Sequence, residues 1–197
     1  MHTRPSGRRL RWLAMAIADR GLKFIVATAV ALSLCLSLSG CAGYAGKGLE
    51  PGVAGLVQVT ATMGEPAMQW RDADGSLQLS YPRGPEGTHS FMVFLGPDGR
   101  LQYIDNVLTD RYFARIVPGS TTQTEVLRLL GPPTPQWTSY FAARDELVWE
   151  WLYCDGSNLM ARFDVLFDGR EGAVRTTFSR PDYRGPDGGV PPCGQMP

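Results

Sequence analysis

Three carboxylates stand close together in the chain: Asp145, Glu146 and Glu150. Two carboxyl groups that face one cleft can act as acid and base, or as acid and nucleophile, in glycoside hydrolysis. The surrounding pattern favours a simpler interpretation, because residues 146–154 alternate like a strand. The acids would then form the polar start and the outward face of that strand, so we predict no catalytic pair here.

Other residues with catalytic or metal-binding chemistry are few. His89 is the only histidine after residue 40, and it lies in what reads as the start of a strand. The sequence has no Gly-x-Ser-x-Gly elbow, Cys-x-x-Cys pair, His-Glu-x-x-His motif or phosphate-binding loop. Asp72 and Asp74 resemble the start of a calcium loop, but the later ligands are missing, so a turn is predicted. We expect no enzyme, no metal and no other cofactor.

The first 40 residues have the pattern of a secretory signal. Six of the 19 basic residues of the chain lie in them, but only one of the 19 acidic residues does. An apolar run, 24–38, follows and is shorter than the roughly 20 residues of a transmembrane helix. It ends at Leu38-Ser39-Gly40-Cys41, which resembles the lipobox of bacterial lipoproteins. The resemblance implies that 1–40 is a lipoprotein signal peptide and that Cys41 carries the lipid. An ordinary signal or membrane anchor with an unrelated cysteine is the alternative.

Lipidation at Cys41 determines the localisation that we expect. Two or more acyl chains hold a protein on a membrane almost permanently, whereas one chain binds only marginally. Ala42 replaces the Asp that is associated with inner-membrane retention, so the resemblance implies anchorage in the outer membrane, facing the periplasm. Residues 41–49 are small and Gly-rich and predict a flexible tether. After residue 40 the net charge is about −5, which disfavours a nucleic-acid partner.

Two further cysteines, Cys154 and Cys193, follow the predicted lipidation site. An even pair in an oxidising compartment favours a disulfide between them, and two unpaired thiols are the alternative. Such a bond would contribute about 4 kcal/mol of stability in the chain-entropy model. It would also hold the Pro- and Gly-rich tail, 181–197, across the domain that precedes it.

The chain repeats itself with an offset of 67 residues. The first copy has Pro51-Gly52, Gly64, Pro66 and Trp70, and the second has Pro118-Gly119, Gly131, Pro133 and Trp137. A looser match, Asp98-Gly99-Arg100 with Asp168-Gly169-Arg170, follows after a three-residue gap. Such a repeat determines the architecture, because each copy forms one structural unit. We expect the two tryptophans to have the same packing role in each unit.

Each copy contains one helical segment and three strand-like runs. In the second copy Thr122 and Glu125 form a capping-box pattern, an apolar face follows, and Gly131 ends the helix. The strand-like runs are 77–81, 90–95 and 101–107 in the first copy, and 146–154, 159–167 and 173–178 in the second. The sequence therefore predicts an α+β fold of two tandem helix-plus-three-stranded antiparallel meander units, 50–110 and 115–180.

The second copy carries a motif of known type. It consists of Pro118-Gly119-Ser120-Thr121-Thr122, Glu125-Val126 and Leu129-Leu130-Gly131-Pro132-Pro133. This pattern resembles the SmpA/OmlA (BamE-like) family of outer-membrane lipoproteins, in which a short helical segment packs on a three-stranded meander. The resemblance covers 115–180 well and the first copy faintly. It implies a non-catalytic binding or assembly module in envelope maintenance, with the outer-membrane assembly machinery as a candidate partner.

A second resemblance gives an alternative function. Tandem helix-and-meander units are similar to the architecture of the β-lactamase inhibitor proteins, in which two units form one concave sheet that grips an enzyme. This resemblance implies an inhibitor of a periplasmic envelope enzyme such as a hydrolase. The motif residues fix helix ends and do not identify a ligand, so both functions remain open at this point.

Aromatic residues indicate where a partner could bind. Tyr140 and Phe141 are predicted to lie in a loop, and Trp149 and Trp151 lie in the strand that follows. Exposed aromatic side chains beside Arg144 would form a protein-binding patch. The same four aromatic residues could instead fill the core of a small domain, and the sequence leaves both interpretations open.

Overall fold

The computed structural model of the chain describes residues 45–82, 87–185 and 188–194. The predicted signal peptide, Cys41 and the start of the tether lie outside the described residues. The described chain has an α+β fold, with short helices and two four-stranded antiparallel sheets. None of its described helices is long and apolar enough to cross a bilayer.

The first unit consists of one helix and one sheet. Its elements are α1 (Leu56–Met63), β1 (Met68–Arg71), β2 (Leu77–Pro82), β3 (Ser90–Leu95) and β4 (Leu101–Asn106). Each strand pairs antiparallel with the next. Alternate residues of β2 and β3 pack on the buried face of α1 in one core, formed by Ala54, Val59, Met63, Leu77, Leu79, Tyr81, Val93, Leu95 and Leu101.

The second unit repeats this order after a short connecting helix, α2 (Asp110–Phe113). Its elements are α3 (Gln123–Leu130), β5 (Ser139–Phe141), β6 (Glu146–Cys154), β7 (Met160–Asp168) and β8 (Val174–Pro181). Two 3-10 turns, Pro135–Trp137 and Ala142–Arg144, flank β5. The strands again pair in sequence order, β5-β6-β7-β8.

The predicted capping box at the start of α3 is confirmed. Thr122 Oγ1 accepts a hydrogen bond from the Glu125 amide at 3.3 Å, and Glu125 Oε2 accepts one from the Thr122 amide at 2.7 Å. The matching position before α1 is Gly55, which has no side chain to cap with. There the Gly55 amide donates to Gln58 Oε1 at 3.0 Å, so α1 has only one of the two hydrogen bonds of a capping box.

Equivalent backbone hydrogen bonds show the internal symmetry of the two units. In the first unit the Gly52 amide donates to Leu101 O, and the Leu101 amide donates to Ala54 O, both at 2.8 Å. In the second unit the Gly119 amide donates to Val174 O at 2.7 Å, and the Val174 amide donates to Thr121 O at 2.8 Å. The repeated Pro-Gly loop therefore pairs in both units with the first residue of the last strand.

Helix α3 lies between the two sheets. Its buried face joins a core with the inner face of the second sheet, where Trp151 and Phe163 lie. On its other side, Gln78 Nε2 donates to Arg128 O at 2.5 Å, and Ser90 Oγ donates to Leu130 O at 2.8 Å. The layers therefore follow the order α1, first sheet, α3, second sheet, and the first sheet has a helix packed on each face.

Two expectations about the sheets are wrong. Each sheet has four strands rather than three, because β1 and β5 add an edge strand to β2 and β6. These strands have only four and three residues, which is too short for a clear alternation in the sequence. The two sheets also remain separate, with α3 between them, so the described residues do not form one concave sheet.

The matched packing role that we expected for Trp70 and Trp137 is also wrong. Trp70 belongs to β1, opposite Gln78, and packs against the core between the sheets. Trp137 ends the 3-10 turn before β5 and contacts two arginine side chains instead. The spacing of the two tryptophans in the sequence matches, but the path of the chain after each helix differs.

The C-terminal tail is attached to the second unit near the turn between β6 and β7. Cys154 and Cys193 are joined by a disulfide, with their Cα atoms 6.1 Å apart. The Met160 amide donates to Pro191 O at 2.9 Å, and the Cys193 amide donates to Asn158 O at 3.0 Å. Covalent and backbone bonds therefore hold the described part of the tail on the second unit.

Candidate binding groove on the second sheet

The second sheet has an outer face that no helix of the described chain covers. Its cross-strand pairs include Val148 with Leu166 and Glu150 with Asp164, which point away from the core that α3 shares. A groove of about 410 Å³ lies on this face. Val148 and Leu166 give it an apolar floor, and charged groups lie on both sides of that floor along the strands. We call this surface the outer groove.

A network of buried charges forms one end of the outer groove. Arg162 contacts Glu150 directly, and Arg162 Nε donates to Asp182 Oδ1 at 3.0 Å. Arg180 also contacts Glu150, and Arg180 Nε donates to Asp164 Oδ2 at 2.7 Å. All of these groups except Arg180 are buried. Buried charges need such pairing, because an unpaired one would be costly to remove from water.

The acids of this network have shifted pKa values. Burial raises the pKa of Glu150 to about 7, and the neighbouring Asp164 acts in the same direction against Arg162 and Arg180. Asp164 Oδ1 is buried and has no hydrogen-bond partner among the described residues. A proton on Glu150 that points to Asp164 would satisfy this oxygen and relieve the repulsion of the two acids. Burial also acts to raise the pKa of Asp182, but hydrogen bonds from Arg184 and Arg162 outweigh it and lower that pKa.

The other end of the outer groove also has paired charges. Glu146 is buried and contacts Arg144 Nη2 at 2.9 Å and Arg175 Nη1 at 3.5 Å. Arg175 Nη2 also donates to Asp168 Oδ2 at 2.8 Å, and this hydrogen bond lowers the pKa of Asp168. The groove therefore has an apolar centre between two sets of ion pairs. This arrangement is similar to a protein interface with an apolar core and a polar rim.

Aromatic rings border the outer groove. The guanidinium groups of Arg162 and Arg184 lie 4.2 and 4.3 Å from the centre of the Trp137 ring, and Arg144 lies 4.7 Å from that of Phe141. Phe178 of β8 is 46% exposed and pairs across the sheet from Asp164. Stacked guanidinium groups hold the rings of Trp137 and Phe141 in place, while Phe178 presents a large apolar surface to solvent.

The four aromatic residues predicted from the sequence do not form one surface. Tyr140 and Phe141 are exposed, at 58% and 43%, and they lie in β5 rather than in a loop. Trp149 and Trp151 are buried in the core that α3 shares, so the expectation that they could contact a partner at the surface is wrong for both. The period of two in β6 is the reason, since residues that share a face with Trp149 point inward.

Four residues of the outer groove were not predicted from the sequence: Arg162, Asp164, Arg180 and Phe178. The signal was present, because Arg162 and Asp164 alternate with Ala161, Phe163 and Val165 in β7. Our prediction used the apolar half of this alternation to locate the core. The other half places two opposite charges on the face that Glu150 shares, which could have indicated the ion-pair network.

The remaining candidates from the sequence have structural roles. Asp74 Oδ1 accepts from the Ser76 amide at 2.9 Å, which confirms the predicted turn, and Asp72 pairs with Arg128. His89 Nδ1 lies 3.0 Å from Thr88 Oγ1, and its ring stacks on Phe91. Within 45–82, 87–185 and 188–194, no cluster of three or more potential ligands could hold a metal ion.

Comparisons with protein-family models, with curated proteins and with solved structures return no match for this chain. The resemblance to the SmpA/OmlA family therefore stays a prediction from the residues of the second copy.

Proposed function

We propose that the chain is a lipid-anchored outer-membrane lipoprotein that acts as a non-catalytic, BamE-like binding or assembly module in envelope maintenance. The lipobox-like Leu38-Ser39-Gly40-Cys41 supports the anchor. The outer groove is the proposed binding surface for a protein partner on the periplasmic side. The outer-membrane assembly machinery is the partner that the family resemblance favours.

The uncovered outer face of the second sheet is the observation that carries this proposal. In the first sheet the corresponding face is filled by α3, through the hydrogen bonds of Gln78 and Ser90. In the second sheet the corresponding face carries an apolar floor, ion pairs and the exposed rings of Phe141 and Phe178. Apolar anchors within a polar rim are typical of the centres of protein interfaces.

The ion pairs favour binding over hydrolysis at this site. Both carboxylate oxygens of Glu150 contact guanidinium groups, one from Arg162 and one from Arg180. A general acid needs its proton directed at a substrate atom, within hydrogen-bond reach. A proton on Glu150 would have the buried, unpartnered oxygen of Asp164 as its acceptor, so the pair serves the network rather than a bound substrate.

In-cell photocrosslinking tests the proposed surface. A photoreactive phenylalanine analogue is placed at Phe178, in the outer groove, or at Tyr103, an exposed ring on β4 of the first sheet. The lipoprotein is then purified in mild detergent, and its crosslinks are identified by mass spectrometry. We expect an envelope protein crosslinked at Phe178 and not at Tyr103. Equal crosslinking at both positions would contradict the groove as the binding surface.

The identity of the crosslinked protein distinguishes the two functions. Subunits of the outer-membrane assembly machinery in a constant ratio would support the assembly function. A single hydrolase that loses activity when bound would indicate an inhibitor instead. Such an inhibitor would use the face of one sheet, because the two sheets of the described chain remain separate.

A further inference from the structure

The start of α1 exposes a group of apolar side chains. Val53, Leu56 and Val57 lie within about one helical turn of one another, and Val57 is 76% exposed. The sequence of α1, LVQVTATM, contains no charged residue. Valine is a modest helix former, so Val57 is not explained by helix propensity. We call these three residues the α1 apolar patch.

The internal repeat shows that this patch is not required by the fold. At the offset of 67 residues, the three positions of the patch correspond to Ser120, just before α3, and to Gln123 and Thr124, which begin α3. The helices are equally long, and the buried pair Val59 and Met63 corresponds to Val126 and Leu130. The inward positions are thus apolar in both units, whereas the outward positions are apolar only in α1.

The chain path allows the α1 apolar patch to lie near the predicted lipid. Gly46 is buried, and a Cβ built on it would lie 3.4 Å from Met63 Sδ, at the end of α1. Gly46 is five positions after Cys41, and an extended chain of that length spans at most about 17 Å. Helix α1 has eight residues and is about 12 Å long, so the reach of the tether and the length of the helix together allow the anchor to lie near the start of α1.

We propose that the α1 apolar patch lies in the surface of the bilayer to which Cys41 is anchored. This proposal rests on the proposed lipid anchor. A helix end with apolar side chains and no charge fits the boundary between headgroups and acyl chains. Arg100 Nη1 donates to Val53 O at 2.5 Å and places a cation beside the patch, where anionic lipids would favour it. Glu50 is the only acid in 47–64.

The layer order gives this contact a consequence for the orientation of the domain. Helix α1 covers one outer side of the stack, and the outer groove lies on the opposite side, beyond the second sheet. A membrane contact at α1 therefore directs the outer groove away from the bilayer, towards partners in the periplasm.

Quenching by lipid-borne nitroxides tests the proposal. The full lipoprotein carries a fluorophore on Val57→Cys or, as the matched control, on Thr124→Cys, which is exposed at the same helical position. Each protein is reconstituted into phosphatidylethanolamine and phosphatidylglycerol vesicles that contain nitroxide-labelled lipid. We expect the label at position 57 to lose most of its emission and the label at 124 to keep it. Equal emission at the two positions would overturn the proposal.

A second variant and a mass measurement keep the outcomes separate. The triple variant Val53→Ser, Leu56→Gln, Val57→Thr copies the side chains at the matching positions of the second unit. With the fluorophore on Ala61→Cys, we expect strong quenching in the otherwise unchanged chain and weaker quenching in the triple variant. Undiminished quenching in the triple variant would contradict the contact. The intact mass shows whether Cys41 is acylated. An unacylated Cys41 would overturn the anchor and this proposal together, whereas an acylated protein without quenching at 57 would overturn this proposal alone.

Discussion

Gly131, which ends α3, lies directly against Ser80 of the first sheet. A Cβ built on Gly131 would lie 2.5 Å from Ser80 Oγ and 2.9 Å from Ser90 Oγ, a separation that real Cβ atoms do not tolerate. The φ angle of Gly131 is also positive, at 78°. Two requirements for glycine therefore coincide at the point where the second unit meets the first: the backbone conformation and the close approach.

The internal repeat separates these two requirements. Gly64 ends α1 in the same conformation, with φ 83° and ψ −167°, but it has nothing within 4 Å of its built Cβ. We expect Gly64→Ala to cost about 1–3 kcal/mol of unfolding free energy from backbone strain alone. Gly131→Ala should cost clearly more, because the serines must also move. Chemical denaturation of both variants measures the difference, and equal losses would show that the contact between the units adapts at no cost.

The buried ion pairs of the outer groove give a second prediction. Replacing Arg162 by Ala leaves Glu150 and Asp182 without their shared cation in a buried position. We expect a loss of about 3–5 kcal/mol of unfolding free energy. The control is Arg170→Ala, since Arg170 is 88% exposed and pairs with Asp145 at 3.0 Å. Exposed pairs contribute about 0–1 kcal/mol, so a loss of similar size in both variants would contradict the role assigned to Arg162.

Local chemistry made α3 and most strands predictable from the sequence. Thr122 and Glu125 specify the start of α3 and Gly131 its end, and the structure follows both signals. The period of two in β6 and β7 located the long strands of the second unit. Strands β1 and β5 were missed because their pairing depends on where β2 and β6 lie in space, which so few residues cannot encode locally.

The outer groove was harder to predict, because its exposure depends on tertiary packing. Ser80 of β2 and Glu150 of β6 both lie on the face of their sheet that points away from the preceding helix. Helix α3 covers the first of these faces, and none of the described helices covers the second. Alternation indicates which residues share a face, but it does not indicate what covers that face.

The raised pKa of Glu150 predicts how stability depends on pH. Its pKa of about 7 in the folded state lies above the ordinary value of 4.5 for a glutamate, so the folded state binds the proton more tightly. The contribution of Glu150 to the free energy of unfolding is fully present below pH 4.5, and it is lost as the pH rises to about 7. Removing the ionisation with Glu150→Gln should therefore change the pH profile, and the variant should gain stability relative to the unchanged protein across this range. Parallel profiles would show that Glu150 is ionised throughout.

The disulfide gives a prediction about the tail. Cys154 and Cys193 are 39 residues apart, and closing a loop of that size contributes about 4 kcal/mol in the chain-entropy model. We expect Cys193→Ser to lose a free energy of this order and the double variant with Cys154→Ser to lose no more, because both remove the same bond. Asp182 contacts Arg162 from the start of the tail. A tail that is no longer held by the disulfide should therefore also be cleaved more readily by trypsin after Arg184.

Non-reducing peptide mapping checks the disulfide itself, and free thiols at both positions would refute it. If the bond forms but its loss leaves stability and cleavage unchanged, the hydrogen bonds of Met160 and Cys193 hold the tail without it.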